Sequence, residues 1–237
     1  MPAALAFPGL VNVRDLGGYP TRDGQLTRTH SLVRADDLWQ LTSEGLEALA
    51  AYGIGTVIDL RWPEEAARNP NPVPQALPQM RFLHISLLTH TEDEWRLRSR
   101  DVAKELWKCT VLERVRQELR QVLAAIADAA PEGLLFHCVA GKDRTGLIAA
   151  LLLALADVEP QAIAGDYAQS GPQLRETYLR RYADADPERI LEALRCPEEG
   201  AYNMLKFLED AGGIRAYLRD IGLTEAQIAA LRARLRS

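Results

Sequence analysis

The sequence predicts an α/β fold, with a central, largely parallel sheet of four or five strands flanked by helices and a helical C-terminal region. Three observations predict it. Short apolar and β-branched runs recur up to position 137, helical patterns separate most of them, and the chain beyond Gly146 reads as helical throughout. Parallel neighbours require crossover connections, and helices supply them while covering both faces of the sheet.

Ser31–Arg34, Thr56–Leu60, Phe82–Ile85 and Leu134–His137 read as strands. Thr42 or Ser43 can cap a helix that runs to about Tyr52, with Glu44 in its first turn and Gly53 as its stop. Thr110 and Glu113 form a capping box ahead of Leu112, Val115, Leu119, Val122 and Ile126, whose spacing builds one apolar face that ends before Pro131. Pro160, Pro172 and Pro187 sit where first-turn prolines start helices, Gly212 and Gly213 end another, and Thr224 with Gln227 caps the last. The proline-rich stretch between Pro63 and Pro78 reads as a surface loop. Residues 1–237 are expected to form a single domain. Within it, residues 91–130 hold the core helix and, before it, a charged segment from Thr91 to Lys108. That segment reads as a solvated helix with one apolar stripe or as a helical lid over the site.

A chain of 237 residues with 47% hydrophobic content can fill a sizeable core. Its net charge of -5 argues against a general nucleic-acid binder, so any affinity for phosphate has to be local. Cys109, Cys138 and Cys196 are too widely spaced for a CxxC zinc site or a disulfide framework, and a reducing compartment is the default. The apolar N-terminus lacks a positive leader and is broken by Pro2 and Pro8, which makes a poor secretion signal. The run Leu147–Ala156 is about half the roughly 20 residues needed to span a bilayer and reads as a buried helix. The expectation is a cytoplasmic protein with no metal, cofactor, nucleic-acid partner or stable membrane insertion. Export without a classical signal stays open, and the sequence does not specify an oligomeric state.

Residues 134–156 place a buried strand, a tight turn and a long apolar helix in succession, which puts the turn at the carboxyl edge of the sheet, where ligands of open α/β folds bind. Backbone N–H groups of Val139, Ala140, Gly141, Lys142, Asp143 and Arg144 can form an anion nest, with the positive end of the helix dipole behind them. Arg144 closes the nest with a fork that can donate two parallel hydrogen bonds to a phosphate. Cys138 sits at its mouth. A free thiol is only a few per cent thiolate at neutral pH. A helix dipole, at about 0.3–2 kcal/mol, is too weak to ionise one alone, so loop amides and Arg144 must share that work. The Thr145 hydroxyl is expected to donate to the sulfur, and His137 either to hold the shape of the loop or to act on the electrostatics of the sulfur. An isolated cysteine is more often a small buried hydrophobe. The string Gly-Lys-Asp-Arg-Thr-Gly after this one, at a strand-to-helix junction, outweighs that reading.

Cys138 and Arg144, five residues apart, match the Cys-x5-Arg signature, and the chain resembles the protein tyrosine phosphatase superfamily. The fuller string from His137 to Gly146 is similar to its bacterial His-Cys-x-x-Gly-Lys-Asp-Arg subgroup of tyrosine, dual-specificity and lipid-directed phosphatases. Asn12–Tyr19, Leu32–Asp36, Val57–Arg61 and the tail from Asp166-Tyr167 to Thr224 extend the resemblance over most of the chain. It implies a metal-independent mechanism through a phosphocysteine, with a phosphorylated protein or a phosphoinositide as substrate and inorganic phosphate as product. It also implies Asp143 as general acid, with Asp59, Asp36 and Asp37 as substitutes. In similar enzymes the lysine at position 142 goes with more highly phosphorylated substrates; the alternative is a solvated loop residue. Two other functions compete: capture of phosphorylated partners without turnover, and a rhodanese-like sulfur transfer from the same cysteine.

Overall fold

The structure, a computed structural model, describes residues 5–87 and 109–236. Its sheet has five strands, β1 (Arg14–Asp15), β2 (Leu32–Ala35), β3 (Ile54–Asp59), β4 (Arg81–His84) and β5 (Gly133–His137), in the order β1-β2-β5-β3-β4. Only the β1–β2 pair is antiparallel. The four strands expected from sequence are present within one or two residues at each end. The fifth, β1, is two residues long, too short for alternation to reveal.

Strand β5 lies at the centre, and all five of its residues are buried. Its side chains alternate between two cores, as the two-residue period of a strand requires. Leu134 and Phe136 join a large cluster with the helices Arg116–Ala127 and Asp143–Leu155, and Leu135 joins a smaller one with Val33, Val57 and Leu49. Helices therefore cover both faces. Leu147–Ala156 is buried almost without interruption in the helix behind β5. Among the described residues no helix is long and apolar enough to cross a membrane.

Three local readings need correction. The stretch after Pro63 is not a plain loop, because it folds into the helices Pro63–Arg68 and Val73–Ala76; Pro63 occupies a first-turn position, where its missing N–H costs nothing. Pro172 is the third residue of the helix Ser170–Arg181 rather than its first, a place still within the turn that lacks internal N–H partners. Thr110 and Glu113 lie inside the helix Cys109–Arg114, which a break at Val115 separates from Arg116–Ala127, so they do not cap the core helix from outside. The charged segment from Thr91 to Lys108 lies outside the described residues. By contrast, Thr42 and Thr224 both cap as expected.

Phe136 packs in the middle of the larger core with no exposed surface. Phe136→Ala is expected to lower unfolding stability by about 3–5 kcal/mol, read from urea denaturation; a loss below about 1 kcal/mol would mean that the centre of the sheet is not packed as described.

Candidate active site

Because β2, β5 and β3 are parallel neighbours, the residues following them meet at one edge of the sheet. Ala35, His137 and Asp59 are in register, which places Asp36-Asp37, Cys138 and Leu60-Arg61 side by side. Cys138 is 2% exposed and opens a short turn that ends where the helix begins at Asp143. Arg144 is thus a first-turn helix residue, and the turn is tighter than the sequence suggests.

Outward-facing carbonyls define the shape of this turn. Val139 O accepts from Asp37 N at 3.0 Å, Ala140 O from Asn12 Nδ2 at 2.8 Å, Gly141 O from Arg34 Nη2 at 2.6 Å, and Lys142 O from Gly146 N at 2.8 Å. No cis peptide bond occurs among the described residues, so each following N–H points the opposite way. The amides of Ala140, Gly141, Lys142 and Asp143 therefore turn toward the inner side of the loop, as an anion cradle needs. Gly141 has φ +62°, and a Cβ there would lie 2.5 Å from Ala35 O. Only glycine fits this position.

Arg144 is held by a residue the sequence reading missed. Its Nη1 and Nη2 donate to Glu65 Oε2 and Oε1 at 2.6 and 3.0 Å, and its guanidinium lies 5.2 Å from the centre of the Trp62 ring. Glu65 Oε2 also accepts from Trp62 N at 2.9 Å, which anchors the carboxylate to its own helix start. Burial disfavours the charged guanidinium, but the charge of Cys138 and the bond to Glu65 outweigh it, so Arg144 sits above its ordinary range. It stays cationic. A bidentate partner on the Nη edge leaves the Nε side of the fork for a ligand.

The four candidate acids occupy different environments. Asp59 accepts from Arg61 Nε and Nη2; burial opposes its ionisation, but His137 and Arg61 together hold its carboxyl low, so it has no proton to give near neutral pH. Asp37 is paired with Arg61 at 2.9 Å, and burial still pushes it up to about 7. Asp36 accepts from Val11 N and Asn12 N, with burial raising it to about 6. Both of these are nearly sealed from solvent. The Asp143 side chain is 21% exposed and accepts from Tyr167 OH at 3.2 Å.

His137 is buried, and burial lowers it to about 4, so it is neutral. Its Nε2 lies 3.1 Å from Asn71 Nδ2 and its Nδ1 3.2 Å from Cys138 O. Those partners suit the tautomer that donates from Nδ1, a role in holding the loop. Two expectations do not match the structure. Thr145 Oγ1 is buried without a hydrogen-bond partner among the described residues, so its bond to the sulfur is not made here. Lys142 is not a solvated loop residue: it is 3% exposed, and its ammonium is directed at the fold, donating to Ala193 O at 2.7 Å and Arg195 O at 3.3 Å. Its attraction to the carboxyl end of the helix Pro187–Ala193 explains this direction.

Behind the loop lies a buried network centred on Asp166. Its carboxylate accepts from Arg14 Nε at 2.7 Å, Tyr19 OH at 2.6 Å and Arg34 Nη1. Burial opposes its ionisation, but Arg14 and Arg34 overcome that and bring it down to about 2. Arg34 then passes the constraint to Gly141 O.

A family model described as the tyrosine phosphatase family matches residues 5–237. The chain is 31% identical to a tyrosine-protein phosphatase of Nostoc commune, over 86% of this chain and 74% of that one. It is 27% identical to the triple specificity protein phosphatase PtpB of Mycobacterium tuberculosis, over 97% of this chain and 98% of that one. Among solved structures, TpbA of P. aeruginosa aligns with a TM-score of 0.37 at 18% identity, covering 81% of this chain and 96% of its own.

Asp166 has a depressed folded-state value, so the stability it adds is complete above its unfolded value of 3.8 and is lost as pH falls through about 2. Asp166→Asn is expected to be less stable by about 3–5 kcal/mol at neutral pH, because two guanidinium groups stay buried without their counter-charge. Urea unfolding across pH 2 to 7 checks this: the gap between wild type and variant should narrow below pH 4, and a constant gap would remove Asp166 as the keystone.

Proposed function

The chain belongs to the tyrosine phosphatase family, and from that premise we propose that Cys138 is the nucleophile of a phosphatase that hydrolyses phosphotyrosine in proteins. One observation carries the assignment of the site: the cradle of inward amides joins a buried cysteine at its mouth to an arginine whose far edge is already clamped by Glu65.

The phosphate dianion is bound by the amides of Val139 to Arg144 and by Arg144. The Cys138 thiolate attacks phosphorus in line, a sulfur–phosphorus bond forms, and the bond to the leaving oxygen breaks. Asp143 transfers its proton to that oxygen. Water then attacks the phosphocysteine, Asp143 takes the water's proton, and inorganic phosphate leaves as the thiolate is restored. Asp143 suits this double task because its carboxylate reaches solvent, with Oδ1 on Tyr167 OH and the Lys142 ammonium at 3.7 Å. Asp59, locked to Arg61, does not. Neither step uses a metal or an organic cofactor.

Phosphoserine, phosphothreonine and phosphoinositide monoesters fall within the same chemistry. With its ammonium on Ala193 and Arg195, Lys142 would favour such substrates through its charge alone. We read residues 1–237 as a single phosphatase domain acting in the cytoplasm. Neither phospho-capture without turnover nor rhodanese-like sulfur transfer is favoured for a member of this family.

Cys138→Ser is expected to abolish hydrolysis of an aryl phosphate in the presence of a chelator, whereas the wild type retains it. Asp143→Asn should separate substrates by leaving group. The loss on an alkyl phosphate such as phosphoserine should reach roughly 10²–10⁴-fold, with a much smaller loss on an activated aryl phosphate. Equal losses on both would remove Asp143 as the acid.

A further inference from the structure

The helix Ser170–Arg181 runs beside the loop, and its N-terminal end is tied to the buried arginines. Ser170 Oγ accepts from Arg14 Nη2 at 3.2 Å, and Gln173 Oε1 accepts from Arg14 Nη1 at 3.2 Å. Helical spacing puts Ser170, Leu174, Tyr178 and Arg181 on one stripe. That stripe faces the site. Ala140 of the loop and Tyr178 pack on the same small cluster of Leu174, Ile190 and Leu194. Arg181 lies 5.6 Å from the centre of the Tyr178 ring, and among the described residues it forms no ion pair. The Tyr178 hydroxyl is shifted up, first by burial and also by the charges of Tyr182 and Cys138, which agrees with a ring near the nucleophile.

We propose that Tyr178 and Arg181 set the substrate preference of the site. Tyr178 forms an aromatic wall for the ring of the phosphorylated residue, and Arg181, stacked on that wall, receives an acidic side chain next to it. The preferred substrate is then phosphotyrosine in an acidic sequence. An arginine on an aromatic face keeps its donors free for a carboxylate, because the ring engages only its flat side. This inference rests on the phosphatase reading above.

The test uses the full chain and peptide pairs that differ only in a carboxylate or amide residue beside the phosphotyrosine, with matched phosphoserine peptides as the alkyl comparison. Wild type should favour the acidic peptide in kcat/KM by roughly three-fold at low salt, a preference that shrinks as salt rises. Arg181→Lys should retain it, Arg181→Ala should lose it and Arg181→Glu should invert it. The ratio of aryl to alkyl hydrolysis should survive in Tyr178→Phe and fall in Tyr178→Leu. An acidic preference unchanged in Arg181→Glu, or an aryl preference unchanged in Tyr178→Leu, overturns the inference while the phosphatase reading stands. A wild type that cleaves none of the peptides sinks both.

Discussion

The site depends on the two ends of Arg34. One end of this buried guanidinium meets Asp166, and the other holds the carbonyl of Gly141 on the outside of the loop. A peptide unit is rigid, so fixing a carbonyl outward fixes the next amide inward. Without that grip the amides of the cradle would be free to turn, and the anion of the proposed mechanism would lose its donors. Arg14 completes the arrangement by sharing Asp166 and by reaching Asn12, whose side chain holds the neighbouring Ala140 carbonyl. Two guanidinium groups on one carboxylate leave an excess of positive charge in the interior. Backbone carbonyls absorb part of it, those of Gly141 and Asp166 among them. A buried charged network of this kind contributes less to stability than its number of contacts suggests, because each ion first loses its water. Its main effect is on geometry.

The parallel topology explains why aspartates crowd the site and why they differ in role. Residues at the ends of β2 and β3 must flank those at the end of β5, so Asp36, Asp37 and Asp59 arrive beside Cys138 by register alone. What separates them is the partner each finds. Arg61 binds both Asp59 and Asp37, which makes that corner a brace between two strand ends. Asp143 comes from a different source, the first turn of the helix after the loop, and its carboxylate remains open. In the proposed mechanism proximity to Cys138 is therefore not enough to make an acid; access to the leaving group decides.

How much of this was legible in the sequence follows from how far apart the partners lie. Cys138, Gly141 and Arg144 belong to one strand, turn and helix, so their relation is local and their spacing carries the geometry. Glu65 lies 79 positions from Arg144, and Asp166 lies 132 from Arg34. No periodicity connects such positions, since tertiary register alone brings them together. Glu65 did leave a trace, because a proline followed two residues later by glutamate is a helix start, but that pattern predicts a cap and says nothing about an arginine elsewhere. The direction of the Lys142 side chain was equally hidden. It depends on a helix end some fifty residues later, whose last carbonyl accepts from the ammonium.

The same long-range packing resolves an apparent conflict between composition and chemistry. In the proposed mechanism a chain with net charge -5 gathers a thiolate and a phosphate dianion in one place. It does so by layering. Arg144 would face the phosphate, Arg34 and Arg14 stand behind the loop, and Lys142 would add its charge from the side. Each cation is fixed by a carboxylate or a carbonyl of the surrounding fold. Its orientation is thus set before any substrate arrives, and little rearrangement is needed as charge moves from sulfur to phosphate and back. Burial strengthens these fields, whereas acidic groups scattered over the surface are screened by water and salt within about 10 Å. The local potential, not the total charge, decides what the cradle can hold.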